Sequence, residues 1–226
     1  MYRYAIRQTG LSVYQYTDIE RKNMNQNNDR ITNMNRTGEN RSCFSQVTQQ
    51  YLNTFDCILE RMIQGMTSAD LTNSISHNFI TQMIPHHRAA IEMSNNILQY
   101  TTDLTIQEIA QNIVCEQTKS IAAMEAALPR CANLTNSREN VCRYQSQIEP
   151  VFNTMFRRMQ NARATNDINC CFLREMLPHH EGAVAFCEIT QCYDICPQLV
   201  PILNDIITSQ KRGICQMERL LDTLCC

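Results

Sequence analysis

The 226-residue chain has no tryptophan, only five glycines and only six prolines. So few turn-forming residues exclude a barrel, a sandwich or a solenoid, each of which needs many tight turns. No apolar run is long enough to cross a membrane as a helix. Charge of one sign is missing as well. Twenty basic residues against 22 acidic ones leave a formal charge of −2, so nucleic acid has no electrostatic hold on the chain. No Cys-x-x-Cys spacing occurs, which argues against a zinc ribbon and a thioredoxin-like redox pair. His-Glu-x-x-His, Gly-x-Ser-x-Gly and P-loop patterns are absent too, so no enzyme class is indicated. The first twenty residues are broken by Arg3, Arg7 and Gly10 and lack the apolar stretch of a signal peptide. The expected location is therefore the cytoplasm, with a spore or envelope layer as the alternative, and in a reducing compartment the thiols are expected to stay reduced.

What the chain does have is sulfur: 13 cysteines and 12 methionines beside only five histidines, in a composition 43% hydrophobic and able to bury a core. An odd number of cysteines cannot all pair within one chain. Soft sulfur donors in this number suit Cu(I) and similar ions.

An internal repeat organises the rest. Phe79 to Met93, FITQMIPHHRAAIEM, returns 93 residues later as Phe172 to Phe186, FLREMLPHHEGAVAF. The same offset carries Gln117 onto Gln210, Met124 onto Met217 and Leu128 onto Leu221. Upstream, Phe55 and Met62 recur as Phe152 and Met159, an offset of 97, so the second copy has a loop four residues shorter. Each copy parses into about three helices. Apolar residues step by three or four in Phe44, Val47, Tyr51, Phe55, Ile58, Met62 and Met66. A second series joins Ile80, Met83, His87, Ile91, Ser94 and Leu98, and a third joins Ile106, Ala110, Ile113, Gln117, Ile121, Met124 and Leu128. Such stepping is the seam of a helical bundle. Asn73-Ser74 and Thr102-Asp103 supply N-cap residues, and Pro129 is expected to end the third helix. The expected division is a tail at 1–40, a first repeat at 41–130, a linker at 131–140 and a second repeat at 141–226. Within the tail, the Asn-rich stretch 23–40 has too little apolar content to fold. A β-ribbon over 1–20 is a further option.

Both copies carry Met-[Ile/Leu]-Pro-His-His in the second helix. Met83 and His87 are one helical turn apart, with His86 on the adjoining row, and Met176, His179 and His180 repeat the arrangement. Thioether plus imidazole is a donor set for Cu(I) or Ag(I). A purely structural role is equally open. His87 and His180 lie in apolar seams facing Gln117 and Gln210, and a glutamine amide could satisfy an imidazole and pin helix register without metal. Met93 becomes Phe186 in the second copy, where Cys187 replaces Ser94 as a donor, and Cys170 stands in place of His77. A di-iron carboxylate site is not expected: Glu175 and His179 are four apart rather than three, and the first copy has Gln82 at that position. The late cysteines (Cys170, Cys171, Cys187, Cys192, Cys196, Cys215, Cys225, Cys226) could bind thiophilic metal or cross-link neighbouring chains.

The pattern F-x3-M-[IL]-P-H-H-x2-A, followed about 30 residues later by Q-x6-M-E, resembles the domain of unknown function 305 family. It covers residues 44–128 and 141–224. The resemblance implies ferritin-like helical bundles, bacterial and commonly exported, some of them linked to copper or silver. It implies Met83, His86, His87 and Met93 as ligands, with Met176, His179 and His180 in the second copy. Two positions depart from the family: Ser120 and Gly213 stand where an acidic residue is common, and Phe186 stands where Met is usual.

The fold class expected is thus all-α, a tandem duplicated ferritin-like bundle. The leading expected function is a non-catalytic soft-metal binder for storage, sequestration or sensing, taking Cu(I) or another soft ion. The alternative is a structural, cysteine cross-linked protein whose histidine pairs only fix packing, and a cysteine-based redox enzyme comes third. Expected partners are a metal ion and either a homo-oligomer or a thiol cross-linked assembly.

Overall fold

The computed structural model describes residues 43–225. The expected tail at 1–40, including the ribbon at 1–20, and Cys226 lie outside the described residues. Six α-helices and no strand occur among the described residues: α1 (Gln46–Thr67), α2 (Ile75–Ile97), α3 (Leu104–Cys131), α4 (Arg138–Gln160), α5 (Ile168–Thr190) and α6 (Leu199–Leu224). The class is all-α. No described helix is long and apolar enough to cross a membrane.

Local chemistry explains the helix starts. Ser45, Ser74, Asp103, Ser137 and Asp167 each accept a hydrogen bond from a backbone N–H of the first turn, which satisfies donors that no intrahelical carbonyl reaches. One ending differs from the sequence expectation. Pro129 does not stop α3, which continues to Cys131. A proline this close to a helix end removes a single backbone bond, to the Glu125 carbonyl, and only two helical residues lie beyond it. Pro85 and Pro178, by contrast, sit well inside α2 and α5.

α2 and α5 form the centre. Phe79, early in α2, packs on Phe186, late in α5, at 4.7 Å between ring centroids, while His86 and His179 meet at mid-helix. The two helices are therefore antiparallel. α1 packs on α2 and α4 on α5; α3 and α6 pack on α2 and α5 and on each other. The core is one cluster running through both halves, with Tyr51, Phe55, Met62, Phe79, Met83, Tyr144, Phe172, Met176, Phe186 and Met217 fully or nearly fully buried. Val47, expected in the first seam, is instead 51% exposed at the start of α1. The buried Tyr51 hydroxyl donates to Glu175 Oε2 at 2.8 Å and so ties α1 to α5, across the two halves.

Two disulfides close the ends of the bundle. Cys131, at the end of α3, is bonded to Cys196 in the loop before α6, and Cys170, at the start of α5, to Cys225 just beyond α6. The expectation of reduced thiols is overturned at Cys131, Cys170, Cys196 and Cys225. Packing brings their Cα atoms to 5.1 and 5.8 Å from their partners, within bridging range, and spacing along the chain does not show such proximity.

Candidate metal centre

The Pro-His-His segments lie at the middle of α2 and α5, where the antiparallel helices cross. The crossing buries His86, His87, His179 and His180 to 2% exposure or less. The His86 and His179 rings stack with centroids 3.6 Å apart, and each has its sequence neighbour, His87 or His180, at 5.8 Å. Four imidazoles thus form one cluster at the junction of the halves, where the sequence suggested two separate sites.

The hydrogen bonds assign the protons. His86 Nε2 lies 3.2 Å from the carbonyl oxygen of His179, and His179 Nε2 lies 3.1 Å from that of His86. A carbonyl only accepts, so both Nε2 atoms carry hydrogen and both lone pairs sit on Nδ1. His180 is the reverse. Its Nδ1–H donates to the Met176 carbonyl, one turn back, at 3.2 Å, which leaves the lone pair on Nε2. His87 Nε2 is 3.0 Å from the Ser120 hydroxyl. Donation from Nε2–H to that hydroxyl avoids an orphaned buried N–H, the costlier of the two arrangements, and places the lone pair on Nδ1. Nδ1 of His86, His87 and His179 is buried with no hydrogen-bond partner.

Burial holds all four rings neutral. It pushes His87 down to about 3 and His180 to about 4, and His86 and His179 well below the ordinary imidazole value. The neighbouring imidazoles reinforce the shift for His86, His87 and His179, and backbone acceptors oppose it for His86, His179 and His180. Neutral imidazole is the form that ligates metal.

Other expected donors fall at different distances. Met83 and Met176, fully buried, stand one turn before the second histidine of each pair. Met93 and Cys187 are buried seven residues beyond His86 and His180, about 10 Å along the helix axis. Cys187 lies beside Tyr144 of α4, and burial raises both groups' pKa. Gln117 and Gln210 do not serve the imidazoles: Ser120 and main-chain carbonyls do, and both glutamine Oε1 atoms are buried without a partner. Among the described residues, no three His, Cys, Asp or Glu side chains converge as a metal-holding group.

The family model of a domain of unknown function (DUF305) matches residues 76–221, nearly all of α2 through α6. The chain belongs to this family. Two solved structures resemble this DUF305 chain. One is a DUF305 fragment from Deinococcus radiodurans, 24% identical, with a TM-score of 0.49, covering 66% of this chain and 97% of that one. The other is CopM in an Ag-bound form obtained by soaking, 23% identical, with a TM-score of 0.48, covering 66% of this chain and 96% of that one. No curated protein matches. Likeness at this level bears on neither the function nor the ligands of the DUF305 chain, which rest on its own residues.

Proposed function

We propose that this chain binds a soft metal ion of the Cu(I) or Ag(I) class without catalysis, for storage, sequestration or sensing. One observation carries the reading. Histidines that only pinned helix register would have their buried nitrogens satisfied. Here Nδ1 of His86, His87 and His179 has no partner although each ring is buried and held neutral. Thioethers of Met83 and Met176 on the same turns complete a donor set that favours a soft, low-coordinate ion. Met93 and Cys187 stand further along the seam as secondary donors. In this reading the halves are copies of one ferritin-like unit, and the two disulfides favour an oxidising compartment.

The test is competition with a Cu(I) chelator after the exposed thiols have been capped. Replacing His86 and His87 together by Gln keeps hydrogen-bonding capacity and is expected to remove at least one bound ion, since an amide is a poor ligand for a soft metal. Unchanged stoichiometry and affinity would show that the imidazoles are not ligands.

A second reading, a cysteine cross-linked structural protein, is supported by exposed free thiols at Cys43, Cys57, Cys115, Cys192 and Cys215. Cys225 is bonded within its own chain and is not available to a neighbour.

A further inference from the structure

We propose that the groove between the start of α3 and the end of α6 is a docking surface for residues 1–16 of the same chain. It lies at the opposite end of these two helices from the Cys131–Cys196 bridge.

Early residues of α3 face late residues of α6, so the two helices run antiparallel, and Arg212 of α6 pairs with Glu116 of α3 at 2.8 Å. Beyond that pair the helices leave a groove of about 210 Å³, lined by Ile109 and Asn112 on one side and Gln216 and Leu220 on the other. Small-molecule pockets run to about 300–1,000 Å³, so this one suits side chains of a polypeptide better than a free ligand. Its outer end is apolar. Leu104 opens α3 and is 79% exposed; Leu224 closes α6 and is 43% exposed. With Val47 at the start of α1, three of the four exposed large apolar side chains among the described residues share one end of the bundle. Such a concentration marks an interaction surface.

The described chain begins at this same end. The Ser45 amide donates to Asn166 Oδ1 in the loop before α5, at 2.8 Å, and the start of α5 is bonded to the end of α6 through Cys170–Cys225. The 26 residues from 17 to 42 span at most about 90 Å, more than the width of a six-helix bundle whose axes lie about 10 Å apart. Charge favours the match. Residues 1–42 carry seven basic and four acidic residues, whereas 43–226 carry 13 and 18, so a segment of +3 meets a body of −5. The first 17 residues hold Arg3 and Arg7 and no acid, beside Tyr2, Tyr4, Ile6, Leu11 and Val13. In the groove, Glu108 makes no ion pair among the described residues and suits an arginine, and the Arg219 guanidinium suits a tyrosine face. Tethering makes the encounter intramolecular, so modest contacts suffice to hold it.

The test uses the full chain. Because it has no tryptophan, Tyr4→Trp supplies a single fluorescent reporter. Its emission is expected to be blue-shifted from that of a solvated indole and independent of protein concentration. Adding Leu104→Lys and Leu224→Lys, which removes apolar contact and places positive charge beside a basic segment, should return the emission to the solvated value. Both leucines are exposed, so circular dichroism should show the helices unchanged. A solvated emission in the unmodified groove overturns the proposal, as does a blue shift that the lysine pair leaves in place. A blue shift that disappears on dilution gives the groove to a second copy of the chain and overturns it as well.

Discussion

Lowering the pH is a direct probe of the buried imidazoles in metal-free protein. In the unfolded chain each histidine takes a proton near pH 6.5, whereas in the fold His87 does so only near 3 and His180 near 4. The unfolded state therefore binds more protons below pH 6.5, and acid favours it. Stability is full above about pH 6.5, falls as the pH drops, and continues to fall until the folded-state values are reached. Each such histidine contributes a slope of up to about 1.4 kcal/mol per pH unit. Between pH 7.5 and 5.0, His87 and His180 together should cost about 4 kcal/mol, with His86 and His179 adding in the same direction. Against a typical total of about 5–15 kcal/mol, that is a large loss. Urea denaturation followed by circular dichroism at the two pH values measures it. Carboxylates also titrate in acid, so the comparison is with the His87→Gln/His180→Gln double variant, which should lose about 4 kcal/mol less over the same interval. Equal pH slopes in the two proteins would show that these rings are not held neutral by the fold.

Two further outcomes test the packing. Cys131–Cys196 closes a 65-residue separation between the halves, and the Cys131→Ser/Cys196→Ser variant should be less stable by about 4 kcal/mol on chain-entropy grounds. Alkylation without reductant should label Cys57, Cys115, Cys192 and Cys215 in the folded protein, and the buried Cys171 and Cys187 only after denaturation; peptide maps showing Cys131 or Cys170 labelled would contradict the bridges. At Gly182 of α5 a Cβ would fall 2.3 Å from the Met155 sulfur and 2.8 Å from its Cγ, so Gly182→Ala should cost about 1–3 kcal/mol in overpacking, read as a lowered melting temperature.

The helices were legible because an amphipathic stripe is a local signal: Tyr51, Phe55, Ile58 and Met62 announce their shared face at three- and four-residue steps. The caps at Ser74 and Asp103 were legible for the same reason. The junction was not. Burial of His86 and His179 comes from α2 and α5 crossing, and no local period reports which helix lies against the second face. Gln82 and His86, one turn apart on α2, are both buried there although the sequence put neither in the apolar seam. Ser120 escaped notice as a partner because a hydroxyl on a half-buried helix row looks like any surface serine. The one clue was its departure, shared with Gly213, from the acidic residue common in the family. Disulfide connectivity was beyond reach, since 13 cysteines allow too many pairings for spacing to select among them.

The exchanged bonds between His86 and His179 work as a two-key lock. Each ring grips the main chain of the opposite helix, and the two grips lie at the same level of the crossing. Moving α5 along α2 lengthens both contacts together, so a change that loosens one grip loosens the other and with it the join between the halves.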